Sequence, residues 1–229
     1  MKKLIFSGIF ATALALFTHA QTVDEIIKKH FAAMGGKEKM LTLKTMKITS
    51  NNLNPNGDKV DVVHTHKHMT GVRTDRTRNG TKSYTIITPK KGWLTRFGET
   101  TPTLMPEEQF KVVQNRLDIQ GAFINYKEKG TKIELAGKEK VEGIDCYNLK
   151  VTDKNGIVTN YYLDSKTYRI SKSSRGEIST LFLNYKQNAE GYWFAYTNKV
   201  SNGVVHTISK IETNIPVDNK IFEVDEGVF

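Results

Sequence analysis

Regularly spaced turn signals constrain the fold of this chain more than any other feature of its sequence. Asn79-Gly80 and Asn155-Gly156 each separate two runs rich in β-branched and aromatic residues. Asn-Gly is the strongest short signal for a two-residue hairpin. Further turns containing glycine recur at Gly57, Gly92 and Gly143. Strands joined by short hairpins lie antiparallel to their neighbours, so the spacing predicts a meandering antiparallel sheet.

The predicted strands occupy most of the chain between residues 44 and 213. They are placed over residues 44–50, 59–69, 73–78, 82–88, 93–97, 132–141, 144–152, 158–163, 168–174, 178–187, 192–199 and 204–213. These segments predict a sheet of about eleven strands, which must twist and curl. Its concave side then needs filling, and helices and an apolar ligand can both supply that filling.

Two or three helices stand out against this β background, the third being a short continuation of the second through Ile119, Ala122 and Phe123. Thr22 and Glu25 have the spacing of a capping box, and apolar residues then recur at intervals of three and four. This pattern predicts a helix over residues 23–34 that ends at Gly35-Gly36. A second helix is predicted to begin near Pro106, because proline suits a helix start and the apolar stripe of Phe110, Val113 and Leu117 follows.

The first twenty residues are predicted to be a signal peptide. Lys2 and Lys3 precede an uncharged apolar stretch over 4–17, and Ala20 offers a small residue before a cleavage point. The stretch is shorter than a membrane span requires. We therefore expect a protein exported to the periplasm, with residues 21–229 forming a single domain.

Charge and cysteine content exclude some classes of protein. The net charge is +10, yet the basic residues are scattered rather than clustered, so a nucleic-acid partner is not expected. Cys146 is the single cysteine and has no internal disulfide partner, and its position within a strand predicts a buried structural thiol. The sequence also lacks the common nucleophile, phosphate-loop, zinc-protease and dinucleotide motifs. We expect neither an enzyme nor a cofactor.

Three histidines form the one candidate metal cluster. His64, His66 and His68 alternate along a predicted strand and so share a face. Neighbours two residues apart lie about 6.6 Å apart along a strand, which lets His64 and His66 share a zinc ion. The outer two lie about 13 Å apart by the same rise, so a third ligand must come from elsewhere in the chain. The alternative is that they continue the polar part of a face begun by Val60 and Val62.

Large apolar side chains gather in the middle of the chain, outside the regular strands. They fall in a short strand, a long loop and the second helix: Trp93, Phe97, Leu104, Met105, Phe110 and Phe123. One interpretation is that they plug the core beneath the sheet. The other is that they line a cavity for acyl chains, with the loop as a movable cover, since methionine and aromatic residues suit an adaptable apolar surface. Periodicity does not separate a plug from a pocket wall.

Several segments resemble the LolA-like group of periplasmic proteins, known as outer-membrane lipoprotein-sorting proteins. The similar segments are residues 23–27, 33–37, 137–147, 161–164, 168–170 and 215–218, followed by Phe222. The resemblance implies a half-open barrel of about eleven antiparallel strands, packed on helices that close an apolar cavity for lipoprotein acyl chains. It implies neither a cofactor nor catalysis. The carriers' single functional arginine has three candidate counterparts here, Arg73, Arg76 and Arg96.

The favoured function is therefore a periplasmic carrier or binder of lipoprotein acyl chains or another lipid. Its partners would be a lipid or acylated lipoprotein, with a membrane-bound donor or acceptor protein. One alternative is an envelope sensor or interaction module of the same fold, which would expose an apolar patch. Another is a metal-binding protein that uses the strand of His64, His66 and His68.

Overall fold

The computed structural model describes residues 21–224 and shows one large antiparallel sheet. Its strands are β1 (Thr45–Leu53), β2 (Lys59–Lys67), β3 (Gly71–Arg78), β4 (Thr81–Ile87), β5 (Gly92–Leu94), β6 (Thr103–Leu104), β7 (Lys132–Val141), β8 (Ile144–Thr152), β9 (Val158–Asp164), β10 (Ile170–Arg175), β11 (Ile178–Gln187), β12 (Trp193–Val200) and β13 (Val205–Thr213). The predicted fold class is confirmed. The predicted signal peptide, residues 1–20, lies outside the described residues.

The strand order shows that the chain starts and finishes the sheet at its centre. The order is β6-β5-β4-β3-β2-β1-β13-β12-β11-β10-β9-β8-β7. All neighbours are consecutive in the chain except β1 and β13, which pair over eight positions. Strands β6 and β7 form the two edges, so the described sheet does not close into a barrel. Residues 105–131 run from one edge to the other, and we call them the crossing segment.

The helices are few and short. They are α1 (Val23–Ala33), α2 (Lys37–Leu41) and α3 (Glu107–Val113), with 3₁₀ turns at Gln114–Leu117 and Asn219–Phe222. Helix α1 begins with the predicted capping box: the Glu25 backbone N–H donates to Thr22 Oγ1 and the Thr22 N–H donates to the Glu25 carboxylate. Helix α3 begins one residue after Pro106, close to its predicted start.

Helix α1 covers the end of the sheet formed by β8 and β9. Ile26 and Ile27 are buried and pack with Leu149 and Leu163, which are both 0% exposed. Each fully buried aliphatic side chain of this kind contributes roughly 1.5–3 kcal/mol to the stability of the folded state. This contact is what holds the helix, since a helix of 11 residues is marginal on its own.

A second core lies toward the opposite edge of the sheet. Val72 and Ile87 face each other across β3 and β4 and pack with Leu117 of the crossing segment. Phe110 and Val113 of α3 complete this cluster. The apolar stripe of the second predicted helix therefore faces the sheet, as its spacing indicates. Cys146 lies in a third cluster with Val141 and Tyr162, and its predicted burial is confirmed at 0% exposure.

The structure departs from the predicted elements in detail. It has 13 strands where about eleven were predicted, and the strand that overlaps none of the predicted segments is β6, whose two residues carry no pattern. The predicted strand 93–97 is observed as β5, which ends at Leu94 because the chain turns at Arg96 and Gly98 to pair β5 with β6. Helix α2 was not predicted, since five residues are too few to show a periodicity. The Asn79-Gly80 hairpin is confirmed: both residues have positive φ, as its turn type requires.

Substitution of Gly71 tests the packing of the C-terminal 3₁₀ turn on the sheet. A Cβ at Gly71 would overlap the ring of Phe222, which is itself buried. We expect Gly71→Ala to lower the free energy of unfolding by about 1–3 kcal/mol, the usual cost of overpacking. Urea unfolding at neutral pH measures it. The double variant Gly71→Ala/Phe222→Leu should lose less than the sum of the two single losses. Simple additivity would contradict the contact.

Candidate functional site

The crossing segment covers the concave face of the sheet and is tied to it by hydrogen bonds at several points. The Met69 backbone N–H donates to Leu117 O at 2.8 Å, and the Gln120 side-chain amide donates to Leu41 O at 3.0 Å and Leu43 O at 3.2 Å. On the far side, Arg175 of β10 donates to Val112 O at 2.9 Å. The bonds at Leu117 and Gln120 lie in the buried part of the segment, where backbone groups without partners would be costly, and the Arg175 bond lies at an exposed position.

Further ionic contacts hold the middle of the crossing segment. The Asp118 carboxylate forms an ion pair with Lys129, and His68 lies 3.7 Å away. Asp118 also accepts the Gln120 backbone N–H at 3.1 Å. The residues that follow, Ile119 to Phe123, are thus set in a turn directly below the helices.

An apolar pocket of about 220 Å³ lies beneath this turn. Helices α1 and α2 form one wall, the crossing segment forms another, and strands β9, β10 and β12 form the floor. It is lined by His30, Met34, Met40, Leu43, Ile119, Gln120, Gly121, Ala122, Phe123, Tyr161, Ile170, Tyr192, Trp193 and Phe194. Aromatic and aliphatic side chains predominate, with few polar groups, which is the usual character of a small-molecule site.

His30 is the main ionisable group in this pocket wall. It is 3% exposed, and its Nδ1–H donates to the Tyr168 backbone carbonyl at 2.8 Å. Its ring also meets the Phe123 ring edge to face, with centroids 5.1 Å apart. Burial lowers the pKa of His30 to about 4. The imidazole is therefore neutral near pH 7, and the pocket wall stays uncharged there.

The floor of the pocket is stiffened by stacked and hydrogen-bonded aromatic residues. The Arg169 guanidinium lies 3.8 Å from the centroid of the Trp193 ring. The Tyr192 hydroxyl bonds to Thr42 Oγ1 at 2.8 Å and accepts from the Asn214 amide at 2.9 Å. The Tyr192 hydroxyl thus has partners in the protein, which leaves its ring to face the pocket.

A larger cleft of about 550 Å³ lies on the other side of α1. Its rim carries charged residues of both signs, among them Asp24, Lys28, Lys37 and Lys127. It is also more open to solvent than the pocket beneath the crossing segment. Mixed charge and exposure suit a solvated surface, so we take the smaller and more apolar pocket as the candidate site.

The structure distributes the six predicted cavity residues over four places. Phe123 lines the pocket and is 4% exposed. Met105 and Phe110 lie against Gly92 of β5, in the core under α3. Trp93 and Leu104 pair at the sheet edge, where Leu104 is 60% exposed.

Phe97, the last of the six, lies beneath the Arg78 guanidinium at 4.3 Å. The described structure therefore does not bring the six into one cavity. Phe123 belongs to the pocket wall, and the other five belong to the opposite end of the sheet, because the crossing segment carries the two groups to different strands.

The histidines do share the concave face, with the His64 and His66 ring centroids 6.0 Å apart. Their neighbour is a cation: Arg116 Nη2 lies 3.5 Å from His64 Nδ1. Burial, and then the charge of Arg116, lower the pKa of His64 to about 3 and that of His66 to about 4. Within residues 21–224 no group of three or more His, Cys, Asp or Glu side chains could hold a metal ion. The metal site stays a prediction for which these residues offer no third ligand.

Most residues that line the pocket were not predicted from the sequence. Helix α2 contributes Met40, the start of β12 contributes Trp193 and Phe194, and Tyr192 directly precedes that strand. The one available signal was this run of three aromatic residues directly after the Gly191 turn. Alternation along a strand buries only every second residue, so three in succession indicate that both faces of the sheet are covered there.

Comparison with known proteins shows which solved structures have a similar fold. No family model matches the chain, and no curated protein matches it. Among solved structures, a LolA superfamily protein from Nitrosomonas europaea is similar with a TM-score of 0.58 and 14% identity, over 90% of this chain and 99% of that one. A putative outer membrane lipoprotein-sorting protein domain from Vibrio parahaemolyticus has a TM-score of 0.55 and 16% identity, over 86% and 94%.

A DUF1329 family protein from Desulfovibrio piger is similar to the same degree, with a TM-score of 0.57 and 15% identity over 86% of this chain and 97% of that one. Together these likenesses show a LolA-like fold, as the resemblance in sequence implied. None of the helices in the described part of the chain is long and apolar enough to cross a membrane.

The neutral state of His30 predicts a specific loss of stability in acid. The unfolded histidine titrates near pH 6.5 and the folded one near 4, so the unfolded state binds more protons as the pH falls between these values. From pH 7 to pH 5 this linkage removes about 2 kcal/mol of unfolding free energy. Urea unfolding at both pH values measures it. His30→Gln should show a drop smaller by that amount, and equal drops in the two proteins would contradict the assignment.

Proposed function

We propose that this protein binds an acyl chain, carried by a lipid or an acylated protein, in the pocket beneath the crossing segment. The observation that carries the proposal is the pocket itself, walled by Met34, Met40, Ile170 and Trp193 with the neutral His30 as its main ionisable group. Transfer of apolar surface from water into such a wall is favourable by about 25 cal/mol per Å².

The fold supports the same proposal by analogy. One of the similar structures is named as a lipoprotein-sorting protein domain and another as a LolA superfamily protein. Fold alone does not give function, so this support is separate from the pocket and weaker than it. We infer a binding and carrying role in the periplasm rather than catalysis, with a membrane-bound donor or acceptor protein as the partner.

The size of the pocket indicates how binding would occur. Its volume of about 220 Å³ is smaller than the roughly 300–1,000 Å³ typical of ligand sites. A long acyl chain therefore requires the turn at 119–123 to move away from the floor. The bonds that Gln120 makes to Leu41 O and Leu43 O are the ones that such a movement would break. The crossing segment then acts as the cover of the pocket.

Tryptophan fluorescence provides a direct test because the two tryptophans of the chain lie in different places. Trp193 lines the pocket, whereas Trp93 lies at the sheet edge. In a Trp93→Phe background, we expect long-chain fatty acids and lipopeptides to change the emission of Trp193 in a saturable way. Native mass spectrometry of the same protein, followed by lipid extraction, identifies any ligand that co-purifies.

A matched pair of methionine variants locates the binding site. Met40→Glu places a carboxylate in the pocket wall and should weaken binding about tenfold or more, because an unpaired charge in an apolar site is costly. Met69→Glu makes the same change at a side chain that is 53% exposed and outside the pocket, and should leave binding unchanged. Equal effects of the two variants, or no uptake of any acyl ligand, would refute the proposal.

A further inference from the structure

Two arginines lie on the face of the sheet that the crossing segment covers. Arg76 is on β3, opposite Val62 of β2, and so points to the same face as Thr74 and its partner His64. Arg116 comes from the crossing segment and approaches this face from above, with Nη2 3.5 Å from both Thr74 Oγ1 and His64 Nδ1. The two guanidinium groups thus lie near each other in a partly buried part of this face.

No carboxylate among residues 21–224 forms an ion pair with either guanidinium. Arg76 Nη1 donates to Thr85 Oγ1 at 3.0 Å, and the two contacts of Arg116 are at the long limit for a hydrogen bond. Asp75 adjoins Arg76 in sequence and raises its pKa, but its carboxylate is 2.9 Å from Arg73 Nε, and neighbouring positions on a strand face opposite ways. Two guanidiniums carry ten N–H donors in total.

Burial of these two positive charges without a carboxylate partner is energetically unfavourable. Burial lowers the pKa of both arginines, and the charge of Arg76 lowers the pKa of Arg116 further. The adjacent His64 and His66 are neutral and add no negative charge. Buried charges in proteins are normally paired, because desolvation without a partner is costly.

The other arginines at ion-pair positions show that this arrangement is not general in the chain. Arg73 pairs with Asp75, Arg78 lies 3.9 Å from Asp58, and Arg96 lies 3.6 Å from Glu99. These pairs are partly or largely exposed, where an unpaired charge would cost least. Arg169 and Arg175 also form no ion pair among the described residues, but Arg169 stacks on the Trp193 ring and Arg175 donates to Thr159 Oγ1 and Val112 O. Arg76 and Arg116 differ from them in lying near each other and near His64.

We propose that Arg76 and Arg116 bind the anionic oxygen group, carboxylate or phosphate, of a single-chain amphiphile whose tail occupies the apolar pocket. The proposal rests on the proposed function and names the chemistry of the ligand's other end. Guanidinium groups match planar carboxylate and phosphate oxygens with two parallel hydrogen bonds. Ile119 lines the pocket and follows Arg116 by three residues, so head group and tail would bind to consecutive parts of the crossing segment.

The test compares two ligands that share the same tail, one with an anionic carboxylate and one with a neutral methyl ester. In the Trp93→Phe background, oleate should bind about 10- to 100-fold more tightly than methyl oleate, as expected for a charge-assisted hydrogen bond. Arg116→Gln and Arg76→Gln should each reduce this preference while leaving methyl oleate binding unchanged. Arg96→Gln removes the same charge from an exposed side chain and is the matched control, with the preference retained.

The outcomes separate this inference from the proposed function. Equal binding of oleate and methyl oleate, or a preference that survives Arg116→Gln, overturns the anion site and leaves the acyl-chain proposal standing. Failure of both ligands to bind overturns both. Inorganic phosphate, measured by calorimetry, should bind much more weakly than dodecyl phosphate. Equal Arg116-dependent affinities would show a site for free anions and overturn the amphiphile.

Stability measurements test whether the role of Arg116 is purely structural. Since Arg116 forms no ion pair among the described residues, Arg116→Gln should unfold at a urea concentration no lower than the unaltered protein. Arg116→Lys keeps the charge without the planar fork and should retain part of the preference for oleate. A destabilised Arg116→Gln, together with an Arg116→Lys that has lost the whole preference, would overturn the proposal.

Discussion

The path of the crossing segment is the constraint on which the rest of this structure depends. Its two ends are fixed at opposite edges of a 13-stranded sheet, at β6 and β7, so the chain between them must pass over the concave face. A backbone that passes over a curled sheet is shielded from water and needs hydrogen-bond partners. In its buried part the Leu117 carbonyl accepts from the Met69 backbone N–H, and the buried Gln120 side chain donates to Leu41 O and Leu43 O, between the end of α2 and β1.

The same path divides the concave face into regions of different chemistry. At Leu117 the segment packs on Val72 and Ile87 and closes an apolar core. At Arg116 it brings a positive charge against His64 and Thr74. At 119–123 it stands over an apolar pocket. A few consecutive residues of the crossing segment thus contribute both a charged group and apolar surface to this face.

Local signals explain which parts of the fold were predictable from sequence. The capping box at Thr22 and the hairpin at Asn79-Gly80 depend on neighbours within four residues, and both formed as predicted. The alternation that places His64 and His66 on one face is equally local. Strand β6 and helix α2 are too short to carry a pattern, and their positions come from contacts with distant residues.

The candidate site was less predictable because it depends on long-range contacts. Phe123 and Phe97 are equally apolar in sequence, yet the first meets Tyr161 of β9 and the second meets Arg78 of β3. Only the strand order shows which side chains of the crossing segment meet which strands. The contact between His64 and Arg116 has the same origin, since residues 52 positions apart are brought together by the crossing.

The central pairing of β1 with β13 has a consequence for the order of folding. The first and last strands of the sheet are about 160 residues apart in sequence and lie side by side in its middle. Hairpins on either side can form early from local contacts, but the two halves cannot join until nearly the whole chain is available. Folds that rely on such distant pairings fold slowly, because the chain loses the entropy of closing a long loop before the contact stabilises it. Before that step the facing edges of β1 and β13 present unpaired backbone groups, which are templates for pairing with other chains.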